Sequence, residues 1–275
     1  MKELLFTLDL DDHRPDESAE VRFPAITDEL LDDLDAWGVT GTVFVVGEVV
    51  ASHPDLVARV AARGHELALH GARHVPLPEV GPDRFRVETA EAAERLRQTV
   101  QAEVAGFRAP IFSLVPSSAW APQILTELGF TYSSSVLPAR NPLYGWPDAP
   151  AVPFRWPSGL VELPSPTFGW GPGRVPVLGG TYLRIAPWPL VRLAARRHRH
   201  DPAPWCYAHP YDFDPDEPRW TIPEVGRLGS RLMWWGRAGM KHRMERLVAG
   251  SDRRMVDVVA ELGELAPFAP EEITR

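Results

Sequence analysis

Short apolar runs alternate with amphipathic segments along the first half of the chain. The apolar runs cover residues 3–10, 42–46, 66–69, 106–109 and 130–135, and we predict a strand over each of them. Between these runs, the periodicity and the end signals predict helices over 27–37, over 52–63, over about 83–101 and from residue 117 up to Gly129. Strands and helices that alternate at this spacing form a parallel sheet covered by helices, so the pattern predicts a barrel or a doubly wound sheet.

The alternation stops in a long segment that is rich in proline, glycine and tryptophan. Residues 137–184 show no clear periodicity, and segments of this length without regular structure are usually functional or disordered. Their aromatic side chains argue against disorder. Beyond them we predict a helix over about 188–200, a strand over 205–208 and a helical extension over about 223–275. Because no linker separates two units, we predict a single catalytic domain over residues 1–275.

Composition and charge narrow the class of protein. Hydrophobic residues make up 44% of the chain and charged residues 24%, which is the usual balance of a folded domain. The 29 basic and 37 acidic residues leave a net charge of −8, which argues against a nucleic-acid partner. A single cysteine excludes an intramolecular disulfide. Because the pattern shows neither a signal peptide nor an apolar span of roughly 20 residues, we predict a cytoplasmic protein without a transmembrane segment.

Acidic side chains cluster where the first predicted strand ends. The sequence there is Asp9-Leu10-Asp11-Asp12, and residues two apart on a strand share a face, so Asp9 and Asp11 are expected to lie side by side. Clustered carboxylates raise one another's pKa unless a cation lies between them. The cluster is compatible with a solvated strand end or with a cation site.

Three further polar features follow predicted strands. His70 and His74 come after the strand over 66–69, and two histidines four residues apart can converge on one metal ion. Arg108 lies at the end of the strand over 106–109, where its guanidinium can orient a carboxylate, and His209 follows the strand over 205–208. Each feature alone is compatible with an ordinary structural role. Because parallel strand ends meet on one side of a barrel, together they supply metal ligands, a base and an acid for hydrolysis.

The motifs resemble, in their order along the chain, the polysaccharide deacetylases of the NodB-homology type, carbohydrate esterase family four. The resemblance is carried by TVFVVGEVVASHPDLVARVAARGHELALHGARH, FRAPIFS, ELGFTYSSSVLP and WCYAHPYDFDPDEPR, and it extends over essentially the whole chain. The first motif LDLDDH and the basic stretch near 227–248 resemble most closely the branch found in exopolysaccharide gene clusters. The resemblance implies an irregular (β/α) barrel with about seven parallel strands. It also implies metal-dependent removal of N-acetyl groups from an amino-sugar polysaccharide or glycoconjugate.

The same resemblance implies a role for each polar feature. His70 and His74 are expected to bind one divalent metal ion together with an aspartate of the first motif. Zinc is the first expectation, with cobalt, nickel, manganese and iron as alternatives. A second aspartate is expected to act as the general base, tethered by Arg108, and His209 as the general acid. Asp212, three residues further on, is expected to raise the pKa of His209.

The roles within the first motif depend on how it aligns with the family. If the acids alternate, Asp9 is the base and Asp11 the metal ligand; if they are adjacent, Asp11 is the base and Asp12 the ligand. The same-face argument favours the first alignment, and both stay open. The family has Ser or Thr after the first histidine of its second motif. Here that residue is Gly71, which removes a side-chain contact and no ligand.

Aromatic side chains near the predicted site are candidates for substrate binding. Trp146, Trp156 and Trp170 lie in the segment over 137–184, and their rings can either stack on sugar rings or pack within the loops. Tyr207 precedes His209 by two residues and is a further candidate. Met233, together with the two tryptophans after it, lies among basic residues and is compatible with packing on the barrel or with contact to a membrane surface.

Two other functions fit the same scaffold. An allantoinase-like enzyme would open a cyclic amide, and a non-catalytic barrel would bind carbohydrate only. The retained histidine pair and acid cluster favour the metal-dependent deacetylase, with an N-acetylated carbohydrate as its substrate.

Overall fold

The computed structural model describes residues 4–221 and 226–270, and its centre is a mostly parallel sheet. The strands in chain order are β1 (Leu5–Leu10), β2 (Gly41–Val45), β3 (Glu66–Leu69), β4 (Gly106–Phe107), β5 (Tyr132–Ser133), β6 (Phe154–Arg155), β7 (Val161–Glu162) and β8 (Trp205–Ala208). They pair in the order β6-β7-β5-β4-β3-β2-β1-β8. Every neighbouring pair is parallel except β6 with β7. The prediction of seven parallel strands is confirmed, and an antiparallel edge strand is added to them.

The sheet curls into an open barrel with two distinct faces. Arg108, just after β4, hydrogen-bonds to Thr7 on β1, and its guanidinium lies 4.5 Å from the Trp205 ring on β8. Strands this far apart in the sheet order can share contacts only if the sheet bends round on itself. Successive side chains of a strand point to opposite faces of the sheet. Side chains such as those of Phe44 and Tyr132 therefore face the barrel interior, while their neighbours along the strand face the helices.

Helices cover the outer face of the sheet. They are α1 (Phe23–Trp37), α2 (Gly47–Ser52), α3 (Pro54–Ala62), α4 (Leu77–Val80), α5 (Pro82–Val100), α6 (Ala121–Glu127), α7 (Gly180–Ile185), α8 (Trp188–His198), α9 (Gly226–Trp234), α10 (Met240–Val248) and α11 (Met255–Glu261). The larger of two buried hydrophobic clusters lies between these helices and the sheet. Within the described ranges, no helix is both long enough and apolar enough to span a bilayer.

The structure corrects several predicted boundaries. The first helix begins at Phe23, four residues before the predicted start at residue 27, because Pro24 occupies its first turn. Ser52 does not cap a helix; it ends α2, and its hydroxyl donates to the carbonyl of Glu48. The segment over 137–184 is not free of regular structure, because it contains β6, β7 and α7.

The C-terminal extension contains three helices where it is described, while residues 249–254 and 262–270 lie outside them. The helices α9, α10 and α11 fall within it, while the prediction for residues 223–225 and 271–275 lies outside the described residues. Met240, Met244 and Met255 are fully buried, so this extension packs against the barrel.

Candidate active site

A buried ion pair lies at the carboxyl end of β1. The guanidinium of Arg108 donates through Nη1 to Asp9 Oδ1 at 2.5 Å, and both side chains are almost fully buried. Arg108 is itself held by the carbonyl and the hydroxyl of Ser134, and it stacks 3.9 Å from the Phe44 ring. Burial alone would raise the pKa of Asp9, but Arg108 together with the nearby His70 and His209 outweighs it and lowers that pKa. Asp9 is therefore a carboxylate at neutral pH.

The second acid of the motif shares this face, whereas the third does not. Asp11 is 5% exposed and lies two residues after Asp9, and its Oδ1 is buried without a hydrogen-bond partner among the described residues. Asp12 instead forms an ion pair with Arg14 at 2.7 Å near the surface. The adjacent-acid alignment, with Asp12 as the metal ligand, does not fit this placement. The structure brings together Asp9 and Asp11, as the same-face argument expects.

The two histidines flank the acids from the turn after β3. Their ring centroids are 5.3 Å apart, and His74 Nε2 lies 3.8 Å from Asp11 Oδ2. The turn depends on Gly71, which has a φ of 73°, and a Cβ there would lie 3.0 Å from the carbonyl oxygen of Arg73. A serine or threonine at this position would be strained, which explains this departure from the family pattern.

The side chains of Asp11, His70 and His74 offer a donor set that fits a divalent ion. His70 donates through Nδ1 to the carbonyl oxygen of Arg108 at 3.0 Å, and burial lowers its pKa to about 4. The ring is thus neutral, and its Nε2 carries a free lone pair, as a metal-binding histidine requires. The buried carboxylate oxygen Oδ1 of Asp11 accepts no hydrogen bond from the described residues, so it is available as a further ligand. In the described part of the chain, no three His, Cys, Asp or Glu side chains form an already assembled metal cluster.

His209 lies opposite these groups at the end of β8. Its Nδ1 is 3.1 Å from Asp212 Oδ2, and its Nε2 is 3.9 Å from Asp9 Oδ2. The ring stacks on Tyr211 with centroids 4.6 Å apart. Burial disfavours the charged ring, but the Asp212 hydrogen bond and the charges of Asp212, Asp11 and Asp9 outweigh it and raise the pKa of His209. The expectation that Asp212 raises this pKa is confirmed.

Asp212 is in turn held by an arginine that sequence reasoning missed. Arg184 Nε lies 2.6 Å from Asp212 Oδ1, and both side chains are fully buried. Burial raises the pKa of Asp212, but Arg184 and His209 overcome that effect and lower it to about 2. Arg184 also donates to the carbonyls of Met233 and Trp235 at the end of α9. No periodicity or motif in the sequence marks Arg184, because it lies in the segment over 137–184, which shows no clear periodicity.

His13 is a second residue that sequence reasoning did not single out. Its ring lies 4.2 Å from the Tyr211 ring and 5.3 Å from the Trp220 ring, and burial lowers its pKa to about 4. His13 and Asp11 line one cleft together with Tyr211. Its position directly after the acid cluster was the only signal in the sequence.

The aromatic candidates fall in different places. Trp146 and Trp156 are at most 5% exposed and pack on each other and on Phe268, so they present no free face to a sugar, and the prediction that they bind substrate is corrected. Trp170 is exposed, with Arg197 over its ring at 5.5 Å. Tyr207 is buried in the barrel interior, edge-on to His209.

The family of the first half of the chain follows from comparison with known proteins. Residues 5–133 match the family model described as polysaccharide deacetylase. This segment is thus similar to that family. It contains the side chains of Asp9, Asp11, His70, His74 and Arg108, whereas residues 134–260 match a second family, described as a domain of unknown function (DUF3473). His209 and Arg184 lie in the second segment. The resemblance noted in the sequence is confirmed.

Curated relatives match this chain over part of their length. A chitooligosaccharide deacetylase of Bradyrhizobium sp. is 36% identical over 88 residues, which are 32% of this chain and 40% of the relative. A chitooligosaccharide deacetylase of Sinorhizobium fredii is 33% identical over 104 residues, which are 38% of this chain and 46% of the relative. The matches thus span less than half the length of these relatives.

Solved structures share the fold over nearly the whole chain. A polysaccharide deacetylase structure from Mycobacterium smegmatis superposes with a TM-score of 0.64 at 20% identity, covering 98% of this chain and 94% of that one. An allantoinase superposes with a TM-score of 0.57 at 15% identity, covering 94% of this chain and 88% of that one. The irregular (β/α) barrel of the NodB-homology type is confirmed.

Proposed function

We propose that this protein is a metal-dependent hydrolase that removes N-acetyl groups from an amino-sugar polysaccharide or glycoconjugate. The observation that carries the proposal is the convergence of five side chains at one end of the barrel. Asp9 lies between Arg108 and His209, and Asp11 lies beside His74. A base, an acid and a set of metal ligands are thus within reach of one acyl group.

Asp11, His70 and His74 are the residues that would hold the ion. Two imidazoles and one carboxylate are the ligands of a catalytic zinc site, and zinc is our first choice. When bound, a divalent ion supplies Lewis-acid chemistry, which lowers the pKa of a water molecule and polarises an acyl oxygen.

Asp9 serves as the general base in this proposal. Arg108 keeps its carboxylate ionised and fixes its orientation, and the second oxygen, Oδ2, faces His209 across the site. An ionised, oriented carboxylate can accept a proton from an attacking water, whereas a protonated one cannot.

His209 serves as the general acid. Asp212 holds its Nδ1, so its Nε2 points toward the site, and the raised pKa favours the protonated ring. An amine is a poor leaving group, and it departs only when its nitrogen receives a proton. The water supplies the hydroxyl that the acetyl carbon gains, and the scissile C–N bond breaks. The products are acetate and a free amino sugar.

The proposed substrate class draws on the curated relatives. Both named relatives are chitooligosaccharide deacetylases, and they match 88 and 104 residues of this chain. The first motif LDLDDH and the basic stretch near 227–248 further support the exopolysaccharide branch. The allantoinase likeness concerns the fold alone, so it does not favour cyclic-amide hydrolysis.

Acetate release tests the proposed activity. The metal-stripped protein is reloaded with zinc or cobalt and incubated with N-acetylated chitooligosaccharides, and acetate and free amines are measured. We expect both products in equal amounts. Ring opening of allantoin without acetate release would favour the cyclic-amide alternative. Glycan binding without either reaction would favour the non-catalytic barrel.

A His74→Ala variant tests the metal ligands. We expect the purified variant to retain its fold, because the His74 side chain is 35% exposed, and to lose bound metal and acetate release together. Metal content by elemental analysis and the unfolding temperature are the two readouts. His53→Ala, which removes a half-buried histidine hydrogen-bonded to Ser52, is the matched control and should keep its metal. Full metal occupancy in His74→Ala would contradict the ligand assignment.

A further inference from the structure

An exposed apolar stripe runs along α9, beside the candidate active site. Leu228, Leu232 and Trp235 are 74%, 42% and 68% exposed. Leu228 and Leu232, four residues apart, lie on one face of the helix, and Trp235 follows in the turn directly after its end. Large apolar side chains that are grouped in this way on a surface usually mark a site of interaction.

The opposite face fixes the helix to the protein. The buried Trp234 donates through Nε1 to the carbonyl of Glu217, and Arg184 binds the carbonyls of Met233 and Trp235. The stripe is therefore held outward by a buried network.

The charges that border the stripe are basic. Arg227 and Arg231 are exposed on the same helix, and neither forms an ion pair with an acid of the described residues. Over residues 226–248 the chain carries six Lys and Arg residues and one Glu, although the whole chain has a net charge of −8. Apolar side chains flanked by exposed arginines that have no acidic partner among the described residues are complementary to a surface that is both apolar and anionic.

A second copy of the chain fits this face poorly. A twofold dimer would place the same patch of both copies together, so that Arg227 and Arg231 would meet their own counterparts. Like charges at that distance repel each other. An anionic lipid headgroup layer pairs with the arginines and also admits the leucines and the tryptophan.

We propose that the α9 face docks the protein on the surface of an anionic lipid bilayer. Leu228, Leu232 and Trp235 enter the headgroup region, while Arg227 and Arg231 contact lipid phosphates. The Trp234 ring lies 5.8 Å from Trp220, which lies 5.3 Å from His13 at the site. Docking thus holds the candidate active site close to the membrane surface. The inference does not depend on the reaction proposed above.

Co-sedimentation of the full chain with lipid vesicles tests this docking. The vesicles contain phosphatidylcholine alone, or phosphatidylcholine with about one third phosphatidylglycerol. We expect binding to the anionic vesicles, weakened by salt, and little binding to the neutral ones. A Leu232→Ser/Trp235→Ser variant should bind the anionic vesicles about tenfold more weakly or worse.

Separate control variants test the contribution of charge to vesicle binding, and unfolding temperatures test whether each variant is folded. Arg227→Gln/Arg231→Gln should weaken anionic binding, whereas Arg59→Gln/Arg63→Gln, which removes the same charge from α3 and the residue after it, should not. Val87→Ser, on the exposed side of α5, controls for loss of an apolar side chain elsewhere. Unfolding temperatures confirm that all variants are folded.

Two outcomes would overturn the proposal. The first is a failure of the vesicle assay. The wild-type chain would then not bind anionic vesicles, or would bind them independently of salt, or the α9 variants would bind them as well as the wild-type chain does. The second is a dimer in solution that Leu232→Ser/Trp235→Ser dissociates, since the face would then be an interface between copies.

Discussion

Asp9→Asn is expected to remove most of the hydrolytic activity and to leave metal binding intact. The amide has the size of the carboxylate, and its oxygen can still accept from Arg108, so the local structure should persist. It cannot accept a proton from water, and loss of a positioned base costs about 10²–10⁴-fold in turnover. The measurement is acetate release together with metal content.

Matched variants of the neighbouring acids separate the two roles. Asp11→Asn should lose both metal and activity. Its carboxylate, with the buried Oδ1 that accepts no hydrogen bond among the described residues, would bind the ion, and the variant replaces it by an amide. Asp12→Asn should keep both, because Asp12 pairs with Arg14. If Asp12→Asn lost its metal while Asp11→Asn kept it, the adjacent-acid alignment would hold instead.

His209→Ala should bind metal normally and lose about 10²–10⁴-fold in turnover, the usual scale for a positioned acid. The loss should depend on the leaving group. An N-acetyl substrate needs a proton on nitrogen, whereas an activated acetyl ester such as an aryl acetate leaves with little assistance. Equal losses on both substrates would mean that His209 positions the substrate and does not donate the proton.

The pH profile of Asp212→Asn provides an independent readout of the same role. A general acid must be protonated, so activity should fall as the pH rises through the pKa of His209. Asp212 raises the pKa of His209 in the folded protein, so replacing Asp212 should lower the pKa of His209. The alkaline limb of the activity profile should then move to lower pH. An unchanged limb, in a variant that is folded and metal-loaded, would assign that limb to another group.

Much of the barrel was predictable because its strands are long enough to show their pattern. The run over 3–10 and the strand over 205–208 differ from β1 and β8 by at most two residues. By contrast, β6 and β7 contain only two residues each and lie in the segment over 137–184, where no clear pattern marks them, so they were missed. The equally short β4 and β5 lie within the runs over 106–109 and 130–135, which mark their positions. The α2 helix was missed because its six residues are largely apolar and follow a strand directly.

The residues of the candidate site also fall into those that the sequence predicted and those that it did not. The side chains that follow strands, such as Asp9 and His209, were found because the carboxyl ends of parallel strands meet on one side. Arg184 reaches Asp212 from a loop-rich segment, and no spacing rule links the two residues. The burial of Trp146 and Trp156 depends on tertiary contacts with Phe268, over a hundred residues away, so composition alone misplaced them.

The contact between Arg108 and Ser134 crosses the boundary between the two families that the chain matches. Two segments that look like separate modules in sequence thus share one sheet and one pocket, since the second supplies His209 and Arg184. Neither segment can be exchanged for that of a distant relative without disturbing the other. The two are therefore expected to be inherited as a unit, with substitutions at their shared contacts occurring in compensating pairs.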